Sequence, residues 1–175
     1  MDLGEVDRIT ADAVGEPGMR TFYLQARSGG DVITLVVEKQ QVQLLATSVL
    51  ELLADVSVET GPGPGDEEMT LEEPLDARWR VGRLSIGYDQ DQDRFLLEIT
   101  EYEPEAEDED DPRPPLDHDP ETIRLWATRE QMLALSRHGS EVAERGRPTC
   151  QLCGNPIDPE GHACPATNGH RSPRA

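Results

Sequence analysis

The chain has 175 residues and a formal net charge of −20, a length that suits one domain of ordinary size with an appendage. The acidity is concentrated, because residues 55–76 sum to −8 and residues 101–119 sum to −9. The remaining chain is therefore close to neutral. This distribution argues against an evenly acidic surface such as that of a DNA mimic or a salt-adapted protein.

Composition also bears on location and on nucleic-acid binding. The N-terminus lacks the basic start and apolar core of a signal peptide, and no apolar run approaches the roughly 18 residues that cross a bilayer. We therefore expect a cytoplasmic protein with no membrane span. Aromatic residues make up 4% of the chain, fewer than expected for a sheet that stacks RNA bases.

Residues 1–54 are predicted to form three strands and a helix. Apolar and β-branched runs bounded by Gly-containing turns indicate strands over 8–14, 20–27 and 31–38. The spacing of the apolar residues then changes. Those that follow recur three and four positions apart: Val42, Leu45, Val49 and Leu52. That spacing is typical of an amphipathic helix.

Residues 78–147 repeat the same order of elements. Strands are predicted over 78–88, 94–102 and 121–128, followed by a helix over 129–146. Gly139 lies inside that helix, where glycine costs about 1 kcal/mol relative to alanine.

The two strand-to-helix junctions match residue by residue, since Gln41, Val42 and Leu45 align with Gln131, Met132 and Leu135. The sequence thus predicts an α+β fold in which two βββα units form an antiparallel sheet of about six strands with two helices on one face. The identity is slight, and a chance resemblance between any two strand-to-helix junctions stays open.

Two acidic segments interrupt this pattern. The Gly/Pro-rich stretch 55–77 is predicted to be a linker, and 101–119 an acidic loop within the second unit. Segments with high charge and few apolar residues bury too little apolar surface to offset the conformational entropy that is lost on ordering, so both are expected to be mobile.

All three cysteines lie in the tail predicted for residues 148–175, within the sequence CQLCGNPIDPEGHAC. An odd count and a cytoplasmic location disfavour disulfides, and a Gly/Pro-rich tail is the wrong context for a thioredoxin-like redox site. Three thiolates and an imidazole are a common zinc donor set. We therefore predict a small knuckle in which structural Zn²⁺ is bound by four ligands: Cys150, Cys153, His162 and Cys164.

The fourth ligand remains open between His162, which lies inside the loop, and His170, which follows it. A catalytic zinc would keep one position free for water, and nothing nearby supplies a clear base. A structural role is therefore favoured over a catalytic one.

Three functions are compatible with the remaining residues. A binding or adaptor protein whose partner is another protein is preferred, with no catalytic residue. An enzyme acting on a phosphorylated small molecule would use four strand arginines as clamps: Arg20, Arg78, Arg80 and Arg83. A nucleic-acid binder would use the sheet with Arg171 and Arg174, but the acidic segments disfavour it through repulsion. His138 and Ser140 are interpreted as a surface helix face.

The segments VGEPGMRTFYLQAR, VEKQQV and GRPTCQLCGNPIDPEGHACPATNGHR resemble an uncharacterised actinobacterial family, domain-of-unknown-function family 3090. The resemblance covers most of the chain outside the acidic segments, and the tail is its most specific part. It implies an intracellular protein, often encoded beside a histidine-phosphatase-like and a lipid-kinase-like protein. It transfers no catalytic residue.

Overall fold

The computed structural model describes residues 1–56, 58–104, 117–145, 150–155, 157 and 162–167. These described residues form seven strands, two α-helices and two short 3₁₀ helices. The strands are β1 (Asp2–Glu5), β2 (Arg8–Val14), β3 (Thr21–Ser28), β4 (Asp31–Val37), β5 (Ala77–Asp89), β6 (Arg94–Glu101) and β7 (Thr122–Ala127). The α-helices are α1 (Lys39–Asp55) and α2 (Arg129–Glu144), and the 3₁₀ helices are Asp66–Met69 and Pro165–Thr167.

The strands form one mixed sheet in the order β1-β7-β6-β5-β4-β3-β2. The α+β class is confirmed, but the prediction of a wholly antiparallel sheet of about six strands is wrong. β1 pairs with β7 and β4 pairs with β5 in parallel. The β4–β5 connection runs through α1, and a helical crossover brings the next strand back in the same direction.

The two ends of this sheet are joined by only two residues. The Val6 amide donates to the Trp126 carbonyl at 2.9 Å, and the Asp7 amide donates to the Arg27 carbonyl at 2.8 Å. Three peptide units reach about 11 Å, whereas a flat sheet of seven strands would be about 29 Å wide. The sheet therefore curls until β1 and β2 meet.

A glutamine at the start of α2 holds this junction together. The Gln131 Nε2 donates to the carbonyls of Val6 and Asp7 at 3.0 and 3.1 Å. Its Oε1 accepts from the Thr128 amide at 2.8 Å, and the Thr128 side chain accepts from the Gln131 amide at 3.1 Å. One side chain thus caps the helix and satisfies two carbonyls of the β1–β2 connection.

The start of α1 has the same arrangement. The Gln41 Nε2 donates to the carbonyls of Val81 and Gly82, both at 3.2 Å, and its Oε1 accepts from the Glu38 amide at 2.9 Å. Val81 lies where the register of β5 shifts, so this strand also has carbonyls outside the regular ladder. Gln41 therefore makes the same pair of contacts to β5 that Gln131 makes to the connection between β1 and β2.

Both helices contribute side chains to one core, which also takes residues from β2 to β7. Gly139 allows the helices to approach closely, since a Cβ there would lie 3.0 Å from Val42 Cγ1. The neighbouring His138 is only 5% exposed and lies 3.3 Å from Asp12 in β2. Its expected place on a surface face is therefore wrong, because this side of α2 packs against β2.

The acidic segment before β5 packs more closely than a linker would. Its 3₁₀ helix ends at Met69, which is 1% exposed and belongs to the core. Within the stretch predicted to be a mobile linker, Met69 therefore anchors a charged segment to the core. For the acidic loop predicted over 101–119, residues 105–116 lie outside the described part. No helix among the described residues is long and apolar enough to cross a membrane.

We expect Met69→Ala to lower the free energy of unfolding by about 2–5 kcal/mol, because it leaves a cavity in the core. Urea denaturation followed by circular dichroism measures the change. Met19→Ala is the matched control, since Met19 is 80% exposed and its loss should cost about 0.5 kcal/mol or less. Equal effects of the two substitutions would show that the acidic segment does not stabilise the fold.

Candidate metal centre

A tight turn brings the first two cysteines of the tail together. The Gly154 amide donates to the Cys150 carbonyl, and the Cys150 amide donates to the Asn155 carbonyl, both at 2.8 Å. Gly154 has a φ of 73°, a left-handed conformation that glycine adopts without steric cost. The CQLCG sequence thus forms the kind of loop in which two cysteines point to one side.

Four ligand atoms converge beside this turn. The sulfurs of Cys150, Cys153 and Cys164 and a ring nitrogen of His162 all lie within 4.8 Å of one another. The Cys150 and Cys164 sulfurs are 3.8 Å apart, and the Cys153 sulfur is 3.2 Å from the His162 Nε2. Cys164 is 0% exposed and Cys150 is 6% exposed. The four side chains could hold a metal ion.

The spacing of the sulfurs fits a metal centre better than a disulfide. A disulfide requires a separation of about 2.05 Å, and none of the three cysteines forms one. Two thiolates about 2.3 Å from a tetrahedral ion would be about 3.8 Å apart, which is the separation of Cys150 and Cys164. The donor set therefore suits a tetrahedral ion with soft or borderline ligand preferences.

The thiols differ in their acidity. The amides of Cys153 and Leu152 donate to the Cys150 sulfur, and these bonds lower the pKa of the Cys150 thiol. At Cys153 a bond from the Asn155 amide lowers the pKa, but burial and the nearby sulfurs of Cys164 and Cys150 outweigh it, so the net shift is upward. The His162 Nδ1 is buried without a hydrogen-bond partner in the described part of the chain.

Of the other predicted ligands and cations, only the strand arginines lie among the described residues. His170, Arg171 and Arg174 fall outside the described residues. The four strand arginines do not converge on one pocket, because three of them have separate partners. Arg20 donates to the Val142 carbonyl, Arg78 pairs with Glu121 and Arg80 pairs with Glu38.

Sequence reasoning missed a polar pocket of about 480 Å³ on the sheet. Its lining residues are Met1, Asp2, Arg83, Ser85, Glu98, Thr100, Thr122 and Arg124. The polar side chains recur at every second position in β5, β6 and β7, and residues two apart in a strand lie on the same face of the sheet. The sequence could therefore have placed the polar residues of each strand on one face. Their assembly into one pocket depends on strand order and register, which a single sequence does not give.

A second polar cluster connects the two ends of the acidic loop. The His118 ring lies 2.9 Å from the Asp117 carboxylate and 3.0 Å from the Glu101 carboxylate. Glu101 also accepts a hydrogen bond from the Glu121 amide at 3.1 Å and is 9% exposed. The hydrogen bonds that the ring makes to the Asp117 carboxylate and, second, to the Glu101 carboxylate raise the pKa of His118.

The sheet, the two helices and the Cys/His cluster define an α+β protein with a candidate metal centre in its C-terminal tail. The model of the family described as "Protein of unknown function (DUF3090)" matches residues 1–164. The chain belongs to this family, in agreement with the resemblance seen in its sequence. No curated protein and no solved structure matches the chain.

The raised pKa of His118 predicts a pH-dependent contribution to stability. A group whose pKa is higher in the folded state stabilises fully below its unfolded pKa, and the stabilisation is lost as pH rises through the folded pKa. The difference in unfolding free energy between the wild type and His118→Gln should therefore shrink as pH rises from about 6.

Urea denaturation across this pH range measures the difference, and proton NMR titration of the ring gives the pKa directly. Asp117→Asn should return the pKa of His118 towards its ordinary value, since Asp117 is the largest cause of the shift. A wild-type titration at the ordinary value of about 6.5 would contradict the assignment.

Proposed function

We propose that this chain is a binding or adaptor protein whose tail is shaped by a structural zinc ion. The ligands would be Cys150, Cys153, His162 and Cys164. One observation carries the proposal, namely the convergence of these four ligand atoms within 4.8 Å. Three thiolates with one imidazole are a donor set that zinc takes in closed structural sites.

A structural role follows from the number of ligands. Four protein donors complete a tetrahedron, which leaves no position for the water or substrate that a catalytic zinc needs. Zinc binding supplies on the order of 10 kcal/mol or more, enough to organise a segment that has little core of its own. The metal would give the tail a defined shape for contact with a partner.

The charge distribution favours another protein as that partner. Arg78 and Arg80 are neutralised by carboxylates of the same chain, which removes them from a phosphate clamp. The concentrated acidity of the two loop segments repels a nucleic-acid backbone. Three cysteines without a disulfide suit the reducing conditions of the cytoplasm, where we place the protein.

We further propose that the body consists of two repeated βββα units, residues 1–54 and 78–147. The support comes from the way in which the strands pair. Residues 2–14 (β1 and β2) pair first with β7 in parallel and then with β3 in antiparallel orientation. Residues 77–89 (β5) do the same, first with β4 and then with β6. Phe22 pairs with Val37, the last residue of β4, and Phe95 pairs in the same way with Ala127, the last residue of β7.

The metal proposal is tested by elemental analysis of untagged protein prepared under reducing, chelator-free conditions. We expect one zinc per chain in the wild type. Cys153→Ser and His162→Ala should each weaken zinc binding by more than about tenfold, because loss of a ligand should exceed the 10- to 100-fold effect of losing a supporting group. Competition with a chromophoric chelator measures that affinity.

His170→Ala is the matched control, since it removes an imidazole from the same tail and should leave the zinc content unchanged. Wild-type protein without metal would refute the zinc site. Loss of zinc from His170→Ala but not from His162→Ala would show that His170 is the fourth ligand. Cobalt substitution adds an independent readout, because a tetrahedral thiolate site gives intense visible absorption.

A further inference from the structure

The outer polar face of the first half of the sheet is a groove filled by the chain itself. Thr10, Gln25 and Thr34 are direct neighbours across β2, β3 and β4. The Gln25 Nε2 donates to the Glu72 carbonyl at 2.9 Å, and the Glu72 amide donates to the Gln25 Oε1 at 2.8 Å. Thr10 donates to the Met69 carbonyl. This row of side chains binds the backbone of residues 69–72.

Arg8 provides the charged contact in this groove. Its guanidinium donates to the Glu68 carbonyl at 2.6 Å, to the Glu72 carboxylate at 2.9 Å and to the Thr70 carbonyl. Arg27 also pairs with Glu72, at 3.2 Å. The Arg8 side chain is 13% exposed as a result. One arginine thus recognises both the backbone and an acidic side chain of the bound segment.

The second half of the sheet has a groove at the matching place. Ser85, Glu98 and Arg124 are direct neighbours across β5, β6 and β7, in the same register as Thr10, Gln25 and Thr34. The next row is Arg83, Thr100 and Thr122, and it matches Arg8, Arg27 and Val32. These six residues line the pocket of about 480 Å³.

The two grooves differ in what occupies them. Arg83 corresponds to Arg8, but its side chain is exposed and has no hydrogen bond or ion pair to any described residue. Glu98 and Arg124 pair with each other at 2.8 Å while remaining 39% and 59% exposed. The second groove therefore offers an unpaired cation where the first one is satisfied by an acidic peptide segment.

We propose that the groove lined by Arg83, Ser85, Glu98 and Arg124 binds an extended acidic peptide segment of a partner protein. Arg83 binds a carboxylate and backbone carbonyls, as Arg8 does. Glu98 accepts a peptide N–H, as the Gln25 Oε1 does. Arg124 donates to a peptide carbonyl and so supplies the donor that Glu98 lacks compared with Gln25. This inference extends the proposed binding role and is independent of the metal site.

The test uses the chain's own acidic segment as the probe. An N-acetylated, C-amidated peptide DEEMTLEEP, which copies residues 66–74, is titrated into isotope-labelled full-length protein. We expect backbone amide resonances of β5, β6 and β7 around Ser85 and Thr100 to shift in a saturable way. The first groove already holds its segment, so the resonances of β2 to β4 should stay in place.

Arg83→Ala should weaken peptide binding by about tenfold or more, because hydrogen bonds to a charged group are lost. Arg145→Ala is the matched control, since it removes an exposed arginine at the end of α2 that should not affect binding. A peptide with the position of Glu72 changed to Lys should bind less well than the original.

Three results would overturn the proposal. These are no saturable shift in the second groove, shifts confined to the first groove, and equal affinity for wild type and Arg83→Ala. The zinc content of the same protein samples is measured in parallel. If the protein contains zinc but does not bind the peptide, only the proposed role of the second groove is refuted. If it binds the peptide but contains no zinc, only the proposed metal site is refuted.

Discussion

Backbone carbonyls that leave the sheet ladder must find another donor, and the rest of this fold depends on how that need is met. The chain bends between β1 and β2, and the register of β5 shifts at Val81. At both places a glutamine side chain from a helix N-terminus donates to two consecutive carbonyls. Since Gln41 and Gln131 also cap their own helices, Gln41 joins the start of α1 to β5 and Gln131 joins the start of α2 to the β1–β2 connection. These two contacts hold both helix N-termini against the sheet.

The curled sheet separates two kinds of surface. The inner face packs apolar side chains against both helices, whereas the outer face carries rows of polar side chains that form two grooves in matching register. The first groove is sealed by the chain's own acidic segment and is part of the folded body. The second is open in the described structure and lies away from the Cys/His turn in sequence. The body and the tail therefore offer two chemically distinct ways to contact a partner.

Local patterns predicted much of this architecture, and long-range pairing accounts for what they missed. The period of α1 and the spacing of the cysteines are properties of short segments, so sequence alone located both. β1 was missed because Asp2–Glu5 has no alternation of its own and gains its partner from β7. Met69 was missed because average composition conceals one apolar residue within a charged stretch. The second groove was missed because strand order and register, which put Arg83 in one groove with side chains of β6 and β7, are not encoded locally.

The parallel pairing of β1 with β7 has a consequence for biosynthesis. Asp2 pairs with Arg124, and the Val6 amide bonds to the Trp126 carbonyl, so the first strand needs a partner made about 120 residues later. At roughly 5–20 residues per second, about 6–24 seconds of synthesis separate this strand from its partner. Its polar sequence, DLGE, suits this delay, because a short strand with little apolar surface is a poor template for aggregation while it is unpaired.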